Sequence, residues 1–196
     1  MKKLLFILFS FFSLYARELD TNLLNKLQHE WNLLNEEQKQ LAFKIFQRGK
    51  EDDIAETATA IAWKETQFNK YNINTQNKNK SWDCGLFNNN SKTVLSRIGL
   101  KHSFYNKKMI CSKLTRDNEY SYQWMVKEIK HWKENNEWFE TWGKYNSGNQ
   151  KNVGYKYANN ILHRIIIIRL NINKVVPISK QKIKEIFEKK INNKIL

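Results

Sequence analysis

Apolar side chains recur at spacings of three and four residues along most of this chain, the spacing at which side chains share one face of an α-helix. The pattern predicts one or two helices over 19–47, followed by helices over 54–65, 93–100, 118–134, 136–143 and 152–170. Proline occurs once and glycine six times, which leaves few of the turns that an all-β fold requires. We therefore expect a mainly α fold.

One predicted helix carries a carboxylate on its apolar face. The side chains that share this face are Ile54, Ala58, Ile61 and Glu65. Desolvation on a packed face raises the pKa of a carboxyl group, and the C-terminal end of a helix dipole also disfavours its ionised form. Both effects favour a carboxyl group that stays protonated near neutral pH, which is what a general acid requires. On the helix alone, however, an inert glutamate at the rim of the fold is the commoner case.

The first 16 residues have the pattern of a secretory signal peptide. Lys2 and Lys3 precede an apolar run over 4–15, and Ala16 offers a cleavage position. This run is too short to span a membrane as a helix, and no later run is long enough. The residue directly after Ala16 is not a cysteine that could carry a lipid. We therefore predict an exported mature chain without a transmembrane segment.

The chain is strongly basic, with 34 Lys and Arg against 19 Asp and Glu and a formal net charge of +15. A basic protein of this size attracts polyanions. An export signal separates the chain from nucleic acid, so we expect cell-wall polymers or anionic lipid surfaces instead. Solvated lysines without any specific partner are the alternative.

Residues 171–196 are predicted to form a basic, amphipathic tail helix after a domain that covers 17–170. Such a tail could dock on its own domain, lie on a membrane surface or bind a partner, for example one from envelope assembly.

Cys84 and Cys111 are the only cysteines. An even number of cysteines in an exported protein suggests a disulfide, and two free thiols are the alternative. A bridge would hold the loop at Gly85 against the segment near Ile110. The cysteine spacing does not match a zinc site and the four histidines are scattered, so we predict no metal.

Three short motifs occur in the order found in the lysozyme-like lytic transglycosylases. The family pattern is Glu-Ser on a helix, then Gly-Leu-Met-Gln, then Ala-Tyr-Asn with a nearby Gly. The corresponding segments here are Glu65-Thr66, Gly85-Leu86-Phe87-Asn88 and Lys144-Tyr145-Asn146. The resemblance covers about 54–163 and is closest to the small specialised members of secretion and conjugation machines. It implies a periplasmic, lysozyme-like helical domain with a glycan-binding cleft.

The resemblance implies a peptidoglycan lytic transglycosylase, which cuts between N-acetylmuramic acid and N-acetylglucosamine. Glu65 would protonate the glycosidic oxygen and then accept the proton of the muramic 6-hydroxyl as a 1,6-anhydro ring closes. One carboxyl group suffices, no cofactor is required, and no water is consumed. Tyr145 is expected to orient Glu65, and Asn146 to support the site or to contact sugar.

Several positions depart from the family pattern. Thr66 keeps the hydroxyl of Ser, Phe87 replaces Met and Lys144 replaces Ala. Asn88 keeps the amide of Gln but is one methylene shorter, so the sequence does not show whether the amide reaches into the cleft. Gly85 is expected to let backbone and glycan approach closely. The residues expected to bind substrate are Thr66, Gly85, Phe87, Asn88, Tyr145 and Asn146.

Asp83 offers a second carboxylate 18 residues after Glu65. Two carboxyl groups within about 5–5.5 Å would permit a retaining hydrolase of the lysozyme type. Asp83 also matches an aspartate of the small specialised transglycosylases, where it would cap or brace the loop. The third possibility is an inactive glycan-binding or assembly protein, which the Asn88 substitution favours.

Overall fold

The computed structural model describes residues 20–175, which contain eight α-helices and one small sheet. The helices are α1 (Thr21–Leu33), α2 (Glu36–Lys50), α3 (Ala55–Thr66), α4 (Ser91–Arg97), α5 (Phe104–Arg116), α6 (Asn118–Lys133), α7 (Trp138–Ser147) and α8 (Lys151–Asn171). The prediction of a mainly α fold is confirmed. The predicted signal peptide lies outside the described residues. Of the predicted tail, Asn171 is the last residue of α8 and Ile172–Lys174 form a 3₁₀ turn. Residues 176–196 lie outside the described residues.

Local capping explains why the first predicted region divides into two helices. Asp20 accepts a hydrogen bond from the Leu23 amide at 3.0 Å and begins α1. Asn35 and Gln38 form a capping box, in which each side chain accepts from the other residue's backbone N–H at 2.9 Å. This box begins α2 and fixes the break between the two helices.

The main core is built around α3, which packs against α2, α6 and α8. Its alanines let these helices approach closely, and the fully buried side chains of α3 are Ala58, Thr59, Ala60, Ile61, Ala62 and Trp63. Gly143 of α7 and Gly154 of α8 allow a second close approach, since a Cβ at Gly143 would lie 3.0 Å from the Gly154 carbonyl oxygen. The packing of α3 and α8 positions the site described below.

The sheet is antiparallel in the order β1-β2-β3, with strands Ile73–Asn74, Asp83–Cys84 and Asn89–Asn90. Cys84 pairs with Ile73 on one side and with Asn89 on the other. Strands of two residues are too short to show an alternating pattern, so the sequence did not predict them. The turn between β2 and β3 carries residues 85–88.

The predicted disulfide between Cys84 and Cys111 is confirmed. It joins β2 to α5, a helix that the sequence analysis did not predict. A small second core surrounds the bridge and consists of Val94, Leu95, Ile110, Leu114 and Trp124.

The third motif also differs from expectation. Tyr145 and Asn146 lie beyond the helix predicted over 136–143, but they belong to the last turn of α7, and Gly148 ends that helix with a φ of +57°. None of the helices between residues 20 and 175 is long and apolar enough to cross a membrane.

Candidate active site

Glu65 lies at the penultimate position of α3 and is partly buried. The helix stops abruptly after it, because Gln67 and Phe68 adopt left-handed backbone conformations with φ of +51° and +64°. The carboxyl group therefore stands at the end of a helix whose residues 57–63 are all buried.

Each oxygen of the Glu65 carboxyl group accepts one hydrogen bond. The Tyr157 hydroxyl of α8 donates to Oε1 at 2.6 Å, and the Asn88 amide donates to Oε2 at 3.1 Å. Asn88 is held in turn, since its Oδ1 accepts from the Asn72 side chain at 2.6 Å. The shorter side chain of Asn88, whose reach the sequence left open, thus contacts Glu65 directly.

Burial raises the pKa of the Glu65 carboxyl group above its ordinary value. The hydrogen bonds from Tyr157 and Asn88 oppose this rise, as does the charge of Lys64, while the negative charge of Asp83 adds to it. The carboxyl group therefore keeps its proton to a higher pH than a solvated glutamate, yet it has two donors ready to stabilise the carboxylate.

Tyr145, which we expected to orient Glu65, bonds the neighbouring loop instead. Its hydroxyl donates to the Phe87 carbonyl oxygen at 3.0 Å, and its ring lies 6.4 Å from that of Tyr157. Burial raises the pKa of both tyrosine hydroxyls well above the ordinary value, so both stay protonated as donors. Tyr157, the second residue that bonds the Glu65 carboxyl group, was missed because nothing in the sequence of a predicted core helix distinguishes a tyrosine that contacts a distant side chain from one that only fills the core.

Two other predicted residues, Thr66 and Phe87, shape the loop. The Thr66 hydroxyl donates to the Leu86 carbonyl oxygen at 2.9 Å and ties the end of α3 to the loop. Phe87 is fully buried and packs edge-on against Tyr122. Thr66 therefore acts on the loop from outside the cavity described below.

Gly85 does not face the cavity either. Its φ is +76°, and a Cβ there would lie 2.3 Å from the Leu114 carbonyl oxygen of α5. Glycine is required at this position because the loop passes against α5, not because a ligand approaches it.

A polar cavity of about 450 Å³ opens beside Glu65. Asparagine amides dominate its wall, and each amide can donate and accept hydrogen bonds at once. The predicted residues that line it are Glu65, Asp83, Phe87, Asn88, Tyr145 and Asn146. Other lining residues, which sequence reasoning did not single out, are Asn77, Lys78, Asn79, Ser81, Asn89, Asn90, Thr93, Val94, Trp124 and Glu128. Such a wall suits a ligand rich in hydroxyl and amide groups.

Asp83 shares this cavity with Glu65, and loop amides hold both of its oxygens. Asn77 donates to Oδ2 and Asn90 to Oδ1, each at 2.8 Å. Ser81 joins the same network, because its hydroxyl oxygen accepts from both asparagines. Asp83 therefore connects β2, β3 and the preceding loop.

The described residues contain no group of three or more His, Cys, Asp or Glu side chains placed to hold a metal ion. Comparison with protein-family models, with curated proteins and with solved structures finds no match for this chain. A function for this site therefore rests on its geometry and on the three motifs.

Proposed function

We propose that this protein is an exported peptidoglycan lytic transglycosylase with Glu65 as its single general acid and base. The observation that carries the proposal is the setting of the Glu65 carboxyl group. It lies on a polar cavity, burial raises its pKa, and each of its oxygens has a donor. In this proposal the helical domain is lysozyme-like and the cavity belongs to a glycan-binding cleft.

In the first step, protonated Glu65 donates its proton to the oxygen between N-acetylmuramic acid and N-acetylglucosamine. The bond from the muramic C1 to that oxygen breaks, and N-acetylglucosamine leaves with a 4-hydroxyl. The N-acetyl oxygen of the muramic residue stabilises the positive charge at C1. Tyr157 and Asn88 stabilise the new Glu65 carboxylate through their hydrogen bonds.

In the second step, the Glu65 carboxylate accepts the proton of the muramic 6-hydroxyl as that oxygen bonds to C1. A 1,6-anhydro ring forms, Glu65 is protonated again, and no water is consumed. The same group serves as acid and base because burial favours its protonated form while two donors favour its ionised form.

A lysozyme-type hydrolase that uses Asp83 with Glu65 is the second candidate, since both carboxyl groups line one cavity. A nucleophile needs a free oxygen directed at the sugar. Both oxygens of Asp83 accept short bonds from Asn77 and Asn90, which favours a bracing role.

The place of action is also part of the proposal. The signal-peptide pattern over 1–16 would deliver the chain to the periplasm, where its substrate lies. A small domain acting locally on the cell wall would suit a partner from envelope assembly.

The test is digestion of purified peptidoglycan by the mature chain and by Glu65→Gln, with the muropeptides identified by mass. Glu56→Gln is the matched control, because Glu56 lies on the same helix and pairs with Arg169 at 3.2 Å. We expect wild type and Glu56→Gln to release products that Glu65→Gln does not. Equal products from Glu65→Gln would exclude Glu65 as the acid. Glycan binding without products from any form would indicate an inactive binding protein.

A further inference from the structure

Segment 91–116, which contains α4, α5 and the loop between them, carries charge of one sign only. It has five Lys and two Arg and no Asp or Glu. Arg97 pairs with Glu128 at 3.4 Å, but no ion pair found within residues 20–175 involves a Lys or Arg of α5. Ion pairs within residues 20–175 therefore do not neutralise the positive charge of α5.

The same segment exposes large apolar side chains. Phe104 and Tyr105 are 69% and 75% exposed, and Met109 is 43% exposed one turn later. Ile98 and Leu100, in the loop before α5, are 41% and 40% exposed. Five of the eleven exposed large apolar side chains in the described part of the chain thus lie within twelve residues. Single exposed apolar residues are ordinary, but a cluster indicates a binding surface.

Helix geometry places apolar and basic side chains of α5 together. At 3.6 residues per turn, one half of the helix holds Phe104, Tyr105, Lys108, Met109, Lys113 and Arg116. The opposite half is buried in the small core and carries Ile110, Cys111 and Leu114. The outward half of α5 contains no acidic residue.

We propose that this basic-apolar surface binds the face of an anionic lipid bilayer. It consists of Ile98, Leu100, Lys101, Phe104, Tyr105, Lys108, Met109 and Lys113. Aromatic and aliphatic side chains enter the boundary between headgroups and acyl chains, while lysines pair with lipid phosphates. A soluble polyanion would use the charges without the apolar cluster, and a neutral protein surface would use the cluster without the charges. The combination selects a surface that is both negative and apolar.

The surface is rigidly connected to the candidate active site. The Cys84–Cys111 disulfide joins α5 to β2, and the neighbouring Asp83 lines the cavity. Trp82 packs edge-on against Phe104 with 5.6 Å between ring centroids. Membrane binding would therefore hold the cavity at a fixed position relative to the bilayer, although the binding itself does not depend on the proposed activity.

The apolar part is tested by co-sedimentation of the mature chain with vesicles of phosphatidylglycerol and phosphatidylcholine, and with phosphatidylcholine alone. We expect binding to the anionic vesicles only, and a roughly tenfold or greater loss of affinity in Phe104→Ser/Tyr105→Ser. Tyr71→Ser is the control, because Tyr71 is 67% exposed but lies outside the surface. It should bind as wild type.

The charged part is tested with Lys108→Gln/Lys113→Gln against Lys44→Gln/Lys50→Gln. The pairs are matched, since Lys44 and Lys108 are exposed, while Lys113 stacks on Tyr120 as Lys50 stacks on Phe46. Each lysine at an anionic surface contributes about fivefold in affinity. We therefore expect the first pair to lose roughly 10- to 30-fold and the control pair less than about threefold. Equal losses would contradict a localised surface.

Lysine acetylation followed by mass spectrometry locates the contact directly and separates it from binding through the basic segment 176–196. Anionic vesicles should protect Lys101, Lys108 and Lys113 and leave Lys44 and Lys50 reactive. Protection confined to lysines after residue 175 would overturn the proposal. A second result would also overturn the proposal: the chain binds polyglutamate as tightly as it binds anionic vesicles, and Phe104→Ser/Tyr105→Ser binds polyglutamate as tightly as the wild type does. That result would indicate a site for polyanions in general.

Discussion

The hydroxyl of Tyr157 and the carboxyl group of Glu65 are separated by 92 residues in the chain and joined by a hydrogen bond of 2.6 Å. The contact exists because α3 and α8 pack together through the alanines of α3. The candidate acid is therefore oriented by the core of the protein, while Asn88 holds it from the loop.

Tyr157→Phe removes that hydrogen bond and keeps the ring. A hydrogen bond to a charged group contributes about 1.5–3 kcal/mol, so we expect kcat to fall roughly 10- to 100-fold with little change in KM. Because this bond lowers the pKa of Glu65, its loss should also move the pH profile of kcat upward. Tyr155→Phe, two residues away, is the control and should retain full activity. Equal effects of the two substitutions would refute the role of Tyr157.

Asn88→Gln restores the amide of the family pattern, yet we expect it to lower activity. Asn88 has a φ of +49°, a conformation that Asn adopts more readily than Gln. A longer side chain would also disturb the bonds to Asn72 and Glu65. We predict activity in the order wild type, Asn88→Gln, Asn88→Leu, measured as the initial rate of muropeptide release. A rate for Asn88→Gln above wild type would show that the shorter amide is a defect.

Gly85→Ala should destabilise the fold more than Gly99→Ala. Both glycines have a left-handed φ, of +76° and +72°, but a Cβ at Gly85 would meet the Leu114 carbonyl oxygen, whereas nothing lies within 4 Å at Gly99. We expect the free energy of unfolding to drop by about 1 kcal/mol at Gly99 and by about 2–4 kcal/mol at Gly85. Denaturant unfolding of the two variants isolates the cost of the clash. Similar losses would mean that the loop moves away from α5 without cost.

Glu65 should make stability depend on pH. Because burial raises its folded-state pKa above the ordinary 4.5, the folded state holds the proton more tightly than the unfolded chain does. This stabilisation is complete at low pH and is lost as the pH rises from about that value through the raised pKa. Glu65→Gln cannot titrate, so its Tm relative to wild type should increase from acidic toward neutral pH. A Tm difference that stays constant across this pH range would contradict the raised pKa.

The sequence predicted what depends on local spacing. Apolar periodicity identified the helix that carries Glu65, and the two cysteines indicated a disulfide. Helix α5 was missed because Phe104 and Tyr105 lie on its exposed half, which obscures a single apolar face. The exposed aromatic side chains that obscured this helix in the sequence are part of the basic-apolar surface in the structure.

Contacts between distant segments could not be predicted. The motif pattern pointed to Tyr145 beside Glu65, but only the packing of α8 on α3 brings Tyr157 to the carboxyl group. The need for Gly85 likewise arises from Leu114, 29 residues later. Residue types and order indicated the chemistry, and tertiary packing decided which neighbours assist it.

The central claim is that Glu65 closes an anhydro ring without consuming water. The most direct measurement is digestion of peptidoglycan in H₂¹⁸O, with the mass of each released muropeptide recorded early in the reaction. The account predicts products lighter by one water than the hydrolysed forms, free of ¹⁸O, and absent with Glu65→Gln. Reducing-end products that carry ¹⁸O at the muramic C1 would contradict it and would make the protein a hydrolase in which Asp83 takes part.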